Sequence, residues 1–394
     1  MSVQKRTDAG RTTWRARYRD ASGKEHSRNF TRKIDAQRWL DGITADVMTG
    51  TYVHPDRGQM TVGEFGRLWL DAQRHLKAST RFRYANMLRL HVLPTWEAVP
   101  LADVTHVAVV TWTGRLQETL AGATVRQAHR VLSMILTLAV KDNRVYRNHA
   151  AGVPLPRAAA KTKRFLTHQQ VSDLAHAVET PTLKPARKHG KSGRRGEQSH
   201  DGLVILVLAY TGIRFGELVA LKVGSVDLMR RRLSITESAS EVGSDLIFSD
   251  PKSHQARSVP LPRFLVDPLA LAMAGKAPGD LVFTAPSGGP LRLSNYRQRV
   301  FTPAARAAGL DGLTPHDLRH TAASLAVAAG ANVKAVQRML GHASAAMTLD
   351  VYSGLFDDDL DAVADRMDDS RESLAAVLRP FAKIIPLPRS SDVL

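Results

Sequence analysis

The sequence predicts a multidomain α+β protein. A small N-terminal domain combines a β-sheet with one helix, a second domain is all-helical, and a third is mainly helical with a small antiparallel sheet. Three observations carry this. Apolar residues alternate with period two near the N-terminus, recur with helical period through most of the chain, and return briefly to strand-like runs before the last helices. Polar stretches containing proline or glycine separate the regions. A chain of 394 residues also gives each region room for its own core.

The first region runs over residues 1–58. In "WRARYR", Trp14, Ala16 and Tyr18 face one way, and Arg15, Arg17 and Arg19 the other. "DASGK" supplies turn chemistry and "EHSRNF" reads as the returning strand. Ala36, Trp39, Leu40, Ile43 and Val47 then make a helical stripe that backs the sheet. The arginine face suits either plain solvation or a DNA groove, which admits a β-ribbon.

After the linker-like "YVHPDRGQM", Thr61 and Glu64 form a capping box ahead of the stripe Phe65, Leu68, Trp69 and Ala72. Helical patterns follow over 80–90, 104–120 and 124–141. The last turns Val125, Ala128, Leu132, Ile135 and Leu138 inward and leaves Arg126 and Arg130 on other faces. These elements define an all-helical domain over 59–152. The proline-containing, basic "GVPLPRAAAKTKR" closes it, giving a linker over 153–164.

The third domain is expected over 165–369. Thr167 and Gln170 cap its first helix, and a basic, apolar-poor insertion over 181–200 interrupts the pattern. The "GKS" inside it is no phosphate loop, because Pro185 stands where the motif needs glycine. "GLVILVLAYTGIRFGELVALKV" reads as a buried helix, a Thr-Gly turn and a second helix that carries Arg214 and Glu217. "RRLSITES" and "LIFSDPKSHQARSVPLP" read as strands, with Lys252 at or near a turn between them. Helices return from "LSNYRQRVFTPAARAAG" onward. In the acidic run after Tyr352, Leu360, Val363 and Met367 form an apolar stripe, and 370–394 is a tail that packs on its own subunit or on a neighbour.

Charge narrows the partner. Lys plus Arg number 55 against 37 Asp plus Glu, a net charge of +18, which favours a polyanion. "MSVQKRTDAG" has no apolar leader and "LVILVLAY" is too short to span a bilayer, so no membrane is expected. The absence of cysteine excludes disulfides and suits a reducing compartment, so the expected location is cytoplasmic and DNA-associated.

"TPHDLRHTAASLA" concentrates the chemistry. Thr314 as N-cap, Pro315 at the first helical position and Asp317 three residues after the cap start a helix, with His316, Arg319 and His320 on one face. The histidine spacing matches a zinc motif, but Asp317 replaces its glutamate, Arg319 puts a cation on the same face, and no cysteine is present. No metal is expected. A capped helix with solvated polar residues and an anion site at a helix N-terminus both remain open on this stretch.

Four stretches in order, "AYTGIRFGELVAL", "DPKSHQARSVPL", "TPHDLRHTAASLA" and "MLGHASAAMTLDVYSGL", resemble the tyrosine recombinase family of the phage-integrase type. The resemblance implies a catalytic set of Arg214, Lys252, His316, Arg319, His342 and the nucleophile Tyr352. Two guanidiniums stabilise charge on the phosphate, Lys252 protonates the leaving oxygen, His316 assists proton transfer, and His342 bonds the phosphate. Glu217 and His320 are supporting residues. Glu217 is read either as the group that holds Arg214 or as a plain surface ion pair. His320 is read either as phosphate-side or as helix packing.

A 3′-phosphotyrosine intermediate needs no cofactor. The resemblance makes 1–58 an arm-type DNA-binding domain, with Arg15, Arg17 and Arg19 on DNA. It makes 59–152 a core-binding domain, with Arg126 and Arg130 on DNA, and 165–369 the catalytic domain. The implied partners are double-stranded attachment sites of core and arm type, three further copies of the chain in a tetramer, a DNA-bending host factor and an excisionase. Two alternatives are a type IB topoisomerase-like enzyme and a non-catalytic DNA-binding regulator.

Overall fold

The computed structural model describes every residue except 9–10, 20–22, 49–57, 158–163, 180–199, 251–255, 353–364, 366, 370 and 372–394. Strands β1 (Ser2–Asp8), β2 (Arg11–Arg19) and β3 (Glu25–Phe30) form an antiparallel sheet in that order. On the central strand Ala16 and Tyr18 are buried toward α1 (Lys33–Met48), with the rings of Tyr18 and Trp39 5.6 Å apart. Strand β1 escapes the sequence pattern because "SVQKRTD" holds a single apolar residue, as an edge strand with a solvated face allows.

The helical region comprises α2 (Val62–Ala72), α3 (Ala78–Met87), α4 (Leu93–Trp96), α5 (His106–Thr119) and α6 (Gly122–Lys141). Its core gathers Phe65, Trp69, Trp96, Trp112, Leu132 and Ile135. The capping box is present: Glu64 accepts from the Thr61 backbone N–H at 3.0 Å, and the Thr61 hydroxyl accepts from Glu64 N–H at 3.2 Å. A π turn over Leu88–Val92 leads into α4 just ahead of Pro94, whose missing N–H breaks the regular ladder there. Three expected core positions face solvent instead. Val47 is 42% and Leu68 54% exposed, and Ala72 is exposed too, each at the margin of a stripe that is narrower than its apolar residues suggest.

The chain divides into two compact units, Met1–Ala160 and Lys161–Leu394. The second begins with α7 (His168–Glu179), α8 (Asp201–Thr211) and α9 (Phe215–Val219). Thr167 and Gln170 cap α7 reciprocally, at 3.0 and 3.2 Å. Strands β4 (Val226–Asp227), β5 (Arg232–Ile235) and β8 (Arg257–Pro260) make one antiparallel sheet, and β6 (Ser238–Val242) with β7 (Asp245–Ser249) a hairpin. Helices α10 (Val266–Met273), α11 (Leu293–Tyr296), α12 (Thr302–Ala307), α13 (Pro315–Ala328), α14 (Val333–Leu340) and α15 (Ala345–Tyr352) complete it.

Helix α8 is apolar on nearly every side and lies against α7 and α13 in the centre of the unit's core. Its far end, at Gly212, is where the functional residues gather. The expected Lys252 turn, the 181–200 insertion apart from His200, Leu360, Val363 and the 370–394 tail except Arg371 lie outside the described residues; Met367 is described and exposed. Among the described residues no helix is long and apolar enough to cross a membrane.

Candidate active site

Helix α13 begins as its sequence requires. The Asp317 carboxylate accepts from the Thr314 backbone N–H at 2.8 Å and from its hydroxyl at 2.7 Å. That start turns Arg319 inward, where it is 3% exposed. Its Nη1 donates to the Gly212 carbonyl at 2.6 Å and its Nη2 to the Leu340 carbonyl at 2.5 Å. These oxygens sit at the C-termini of α8 and α14, whose negative dipole ends offset the desolvation of a buried cation. Burial, and then the Arg214 charge, push the Arg319 pKa downward. Gly212 has φ +66°, and a Cβ there would lie 2.7 Å from a Leu340 methyl, so only glycine permits this close turn. Arg214 and His342 follow each acceptor by two residues, and one buried guanidinium therefore brings both to the same place.

Arg214 is the N-cap of α9. Glu217 accepts from its backbone N–H at 2.8 Å and from its Nη1 at 2.9 Å. The Glu217 side chain is fully buried, which excludes the surface-pair reading. A second arginine, which the sequence reading did not single out, meets the same carboxylate. Arg257 at the start of β8 donates through Nη1 at 2.9 Å and Nη2 at 2.6 Å. Burial alone would raise the Glu217 pKa. The Arg257 bonds and charge, followed by those of Arg214, outweigh it and hold the carboxyl below its usual range.

Tyr352 ends α15 and is 2% exposed. Its hydroxyl is 2.8 Å from His320 Nδ1, and its ring lies parallel to that of His342 with centroids 6.4 Å apart. Burial raises its pKa to about 12, against the opposing pull of Arg319. His342 Nδ1 is 3.0 Å from the hydroxyl of Thr348, a fully buried residue that also escaped the sequence reading. Burial, then Arg319 and Arg214, hold His342 down to about 4, so its ring is neutral at pH 7.

His316 is exposed, with its ring 5.0 Å from that of His320. It borders an open cleft of about 340 Å³ lined also by Arg214, Leu293, Arg297, Thr314 and Arg319. The structure thus brings together Arg214, Glu217, His316, Arg319, His320, His342 and Tyr352. Two fixed guanidiniums, three imidazoles and a phenol around an open cleft suit nucleophilic attack on a phosphodiester. Among the described residues no cluster of potential metal ligands occurs.

The residues expected on DNA belong to the first unit. Arg15 donates to Ser27 at 2.8 Å, and Arg17 and Arg19 pair with Glu25 on the face opposite Ala16 and Tyr18. Arg130 is exposed, whereas Arg126 donates to the Pro156 carbonyl at 2.8 Å and is half-buried.

Residues 164–358, which hold this whole cluster, match the phage integrase family. The chain belongs to that family. It is a site-specific tyrosine recombinase, an enzyme that cuts and rejoins DNA. A putative prophage phiRv2 integrase of Mycobacterium tuberculosis is 28% identical over 349 residues, covering 85% of this chain and 87% of that protein. A solved Tn1549 transposon integrase, bound to a circular-intermediate DNA, superposes with a TM-score of 0.64 at 20% identity, covering 78% of this chain and 99% of that one. A λ integrase tetramer on a Holliday junction gives 0.57 at 18% identity, with 86% and 95% covered.

The shifted histidine sets a pH dependence for the recombinase. His342 takes up a proton near its ordinary 6.5 when unfolded and near about 4 when folded. Between those values the unfolded chain binds more protons. The stability this group contributes is therefore present above about pH 6.5 and is lost as the pH falls toward about 4. His129, buried in the helical region, is shifted in the same direction, so the test compares proteins that share it. The melting temperature of the wild type is expected to fall more steeply between pH 7 and 4 than that of His342→Gln. Equal slopes would refute the assignment.

Proposed function

We propose that this recombinase integrates and excises a phage or related mobile element through a 3′-phosphotyrosine formed by Tyr352. The observation that carries this reading is the Tyr352 hydroxyl, held 2.8 Å from His320 in the cluster anchored by Arg319. In the forward step the Tyr352 oxygen bonds to phosphorus and the P–O5′ bond breaks. Arg214 and Arg319 meet the charge on the non-bridging oxygens, and His342, bonded through Nδ1 to Thr348, offers Nε2 to the same phosphate.

With a pKa near 12 the phenol is protonated at neutral pH, so attack requires a base, and His320 Nδ1 is placed to take the proton. The leaving 5′ oxygen takes its proton from Lys252, a role that rests on the motif alone, and His316 at the cleft edge assists. Rejoining reverses each transfer. The phosphodiester's energy is kept in the phosphotyrosine, so no nucleotide is consumed.

The N-terminal arginine face supports arm-site binding, with Arg126 and Arg130 serving the core site. The fold likeness to the λ integrase tetramer supports assembly of four copies on DNA. A host bending protein and an excisionase complete the expected set of partners.

The chemistry makes a direct test possible. On a nicked suicide substrate the protein should form a denaturant-resistant adduct in excess chelator, because the guanidiniums supply the positive charge at the phosphate. Digestion should place the phosphoryl group on the Tyr352 peptide. Cleavage that is lost with EDTA and restored by Mg²⁺ at constant ionic strength would overturn the reading.

A further inference from the structure

Glu217 poses a problem for a phosphate-binding site. A buried carboxylate one helical turn from Arg214 competes with the scissile phosphate for that guanidinium. The structure provides a way out. Two donors from Arg257 and two from Arg214 fill the four acceptor positions of the carboxylate. The Arg257 pair is the parallel, two-bond fork, whereas Arg214 contributes one side-chain nitrogen and its backbone N–H. Arg257 is also the larger influence holding Glu217 ionised. The side chain of Arg257 is 9% exposed and that of Arg214 27%, so the first is committed to the interior and the second reaches the cleft.

We propose that Arg257 is a positioning residue for strand cleavage. By neutralising Glu217 it leaves the charge of Arg214 available to the scissile phosphate, while Glu217 still orients that side chain. The same guanidinium reaches the other wall of the site. Its Nε donates to the Met339 carbonyl at 3.3 Å, beside the Leu340 carbonyl that holds Arg319. It also covers Gly341, where an added Cβ would lie 2.8 Å from Arg257 Cδ. Arg257 thus ties the position of Arg214 to the turn that presents His342. The inference rests on the reading that Arg214 meets the phosphate.

The test compares a normal suicide substrate with one that carries a neutral methylphosphonate at the scissile position, which removes the charge Arg214 is there to meet. Arg257→Gln should cleave the phosphate about 10²-fold more slowly than wild type, the scale of losing one transition-state donor. On the methylphosphonate, which starts neutral and builds charge on only one non-bridging oxygen, its slowing relative to wild type should largely disappear, and that of Arg214→Ala should shrink with it. Removing the unmatched carboxylate as well, in Glu217→Gln/Arg257→Gln, should recover part of the rate. A residue that merely supports the fold would make that pair worse. If Arg257→Gln does not fold, Arg257→Lys carries the comparison, since it keeps a charge beside Glu217 without the fork. Its slowing must again be largely confined to the charged linkage.

Wild-type cleavage by a folded Arg257 variant, equal slowing on both linkages, or a pair slower than the single variant would each overturn the inference. Wild-type cleavage by Arg214→Ala would instead overturn the reading on which it rests.

Discussion

Tyr352→Phe is expected to abolish covalent attachment to DNA while leaving the protein folded and bound. The substitution removes one oxygen from a ring that is 2% exposed, parallel to His342 and 6.4 Å from Phe165. That packing persists. Only the hydroxyl bond to His320 goes, worth about 1 kcal/mol net for a neutral pair. DNA affinity comes mainly from cations that the change does not touch. The chemical step has no substitute, because the phenol oxygen is the atom that bonds to phosphorus and phenylalanine carries none.

The raised pKa sharpens the expectation. At pH 8 roughly one phenol in 10⁴ is ionised when the pKa is near 12, so the wild-type rate depends on proton transfer during attack. His320→Phe should therefore retain Tyr352 and still lose about 10²-fold or more in cleavage. Both variants are scored as denaturant-resistant adduct on the nicked substrate, alongside gel-shift affinity. An undiminished adduct from Tyr352→Phe sinks the nucleophile assignment.

Local rules carried the reading wherever a residue's role is set by its near neighbours. The box at Thr314 and Asp317 is one such case, since its partners are three residues apart. The alternation at Ala16 and Tyr18 is another, because a pleated strand has no other way to sort side chains. Arg257 was not legible for the opposite reason. On its own strand it looks like any solvated cation, and its significance comes from Glu217, forty positions earlier, and from a carbonyl at Met339. Glu217 is ambiguous by the same logic. Its spacing to Arg214 is that of an exposed helix pair, and only the chain passing over it shows that it is buried. His320 shows a subtler limit: periodicity placed it on the face with His316, but its contact with Tyr352 depends on how α15 returns. Val47 and Leu68 failed for want of neighbours, since the pattern says which side faces inward but not how far the covering surface extends.

The other large effect is expected from deleting residues 1–58. The face of β2 opposite Ala16 and Tyr18 presents Arg15, Arg17 and Arg19, while Tyr352 belongs to a different compact unit. The partners of these arginines are weak competitors for DNA. Arg17 and Arg19 share Glu25 at 3.4 and 3.7 Å, with Arg19 72% exposed, and such surface pairs contribute about 0–1 kcal/mol. Among the described residues Arg15 bonds a serine hydroxyl, Ser27 Oγ, at 2.8 Å. Phosphates can displace these partners at little cost. If this face reads arm-type repeats, the truncated protein should cleave a core-site suicide substrate at close to the full-length rate, because the helical region and the second unit keep their own cores. Recombination between a long, arm-bearing site and its short partner should collapse. In the full-length chain, Arg15→Ala/Arg17→Ala/Arg19→Ala should make the salt dependence of long-site binding shallower by roughly 0.9 in log–log slope for each phosphate that is no longer neutralised. Footprinting should show arm protection fading while core protection stays. If the triple variant instead protects both sites as wild type does, with an unchanged salt slope, the arginine face of β2 is a solvated surface and arm recognition has to come from another part of the chain.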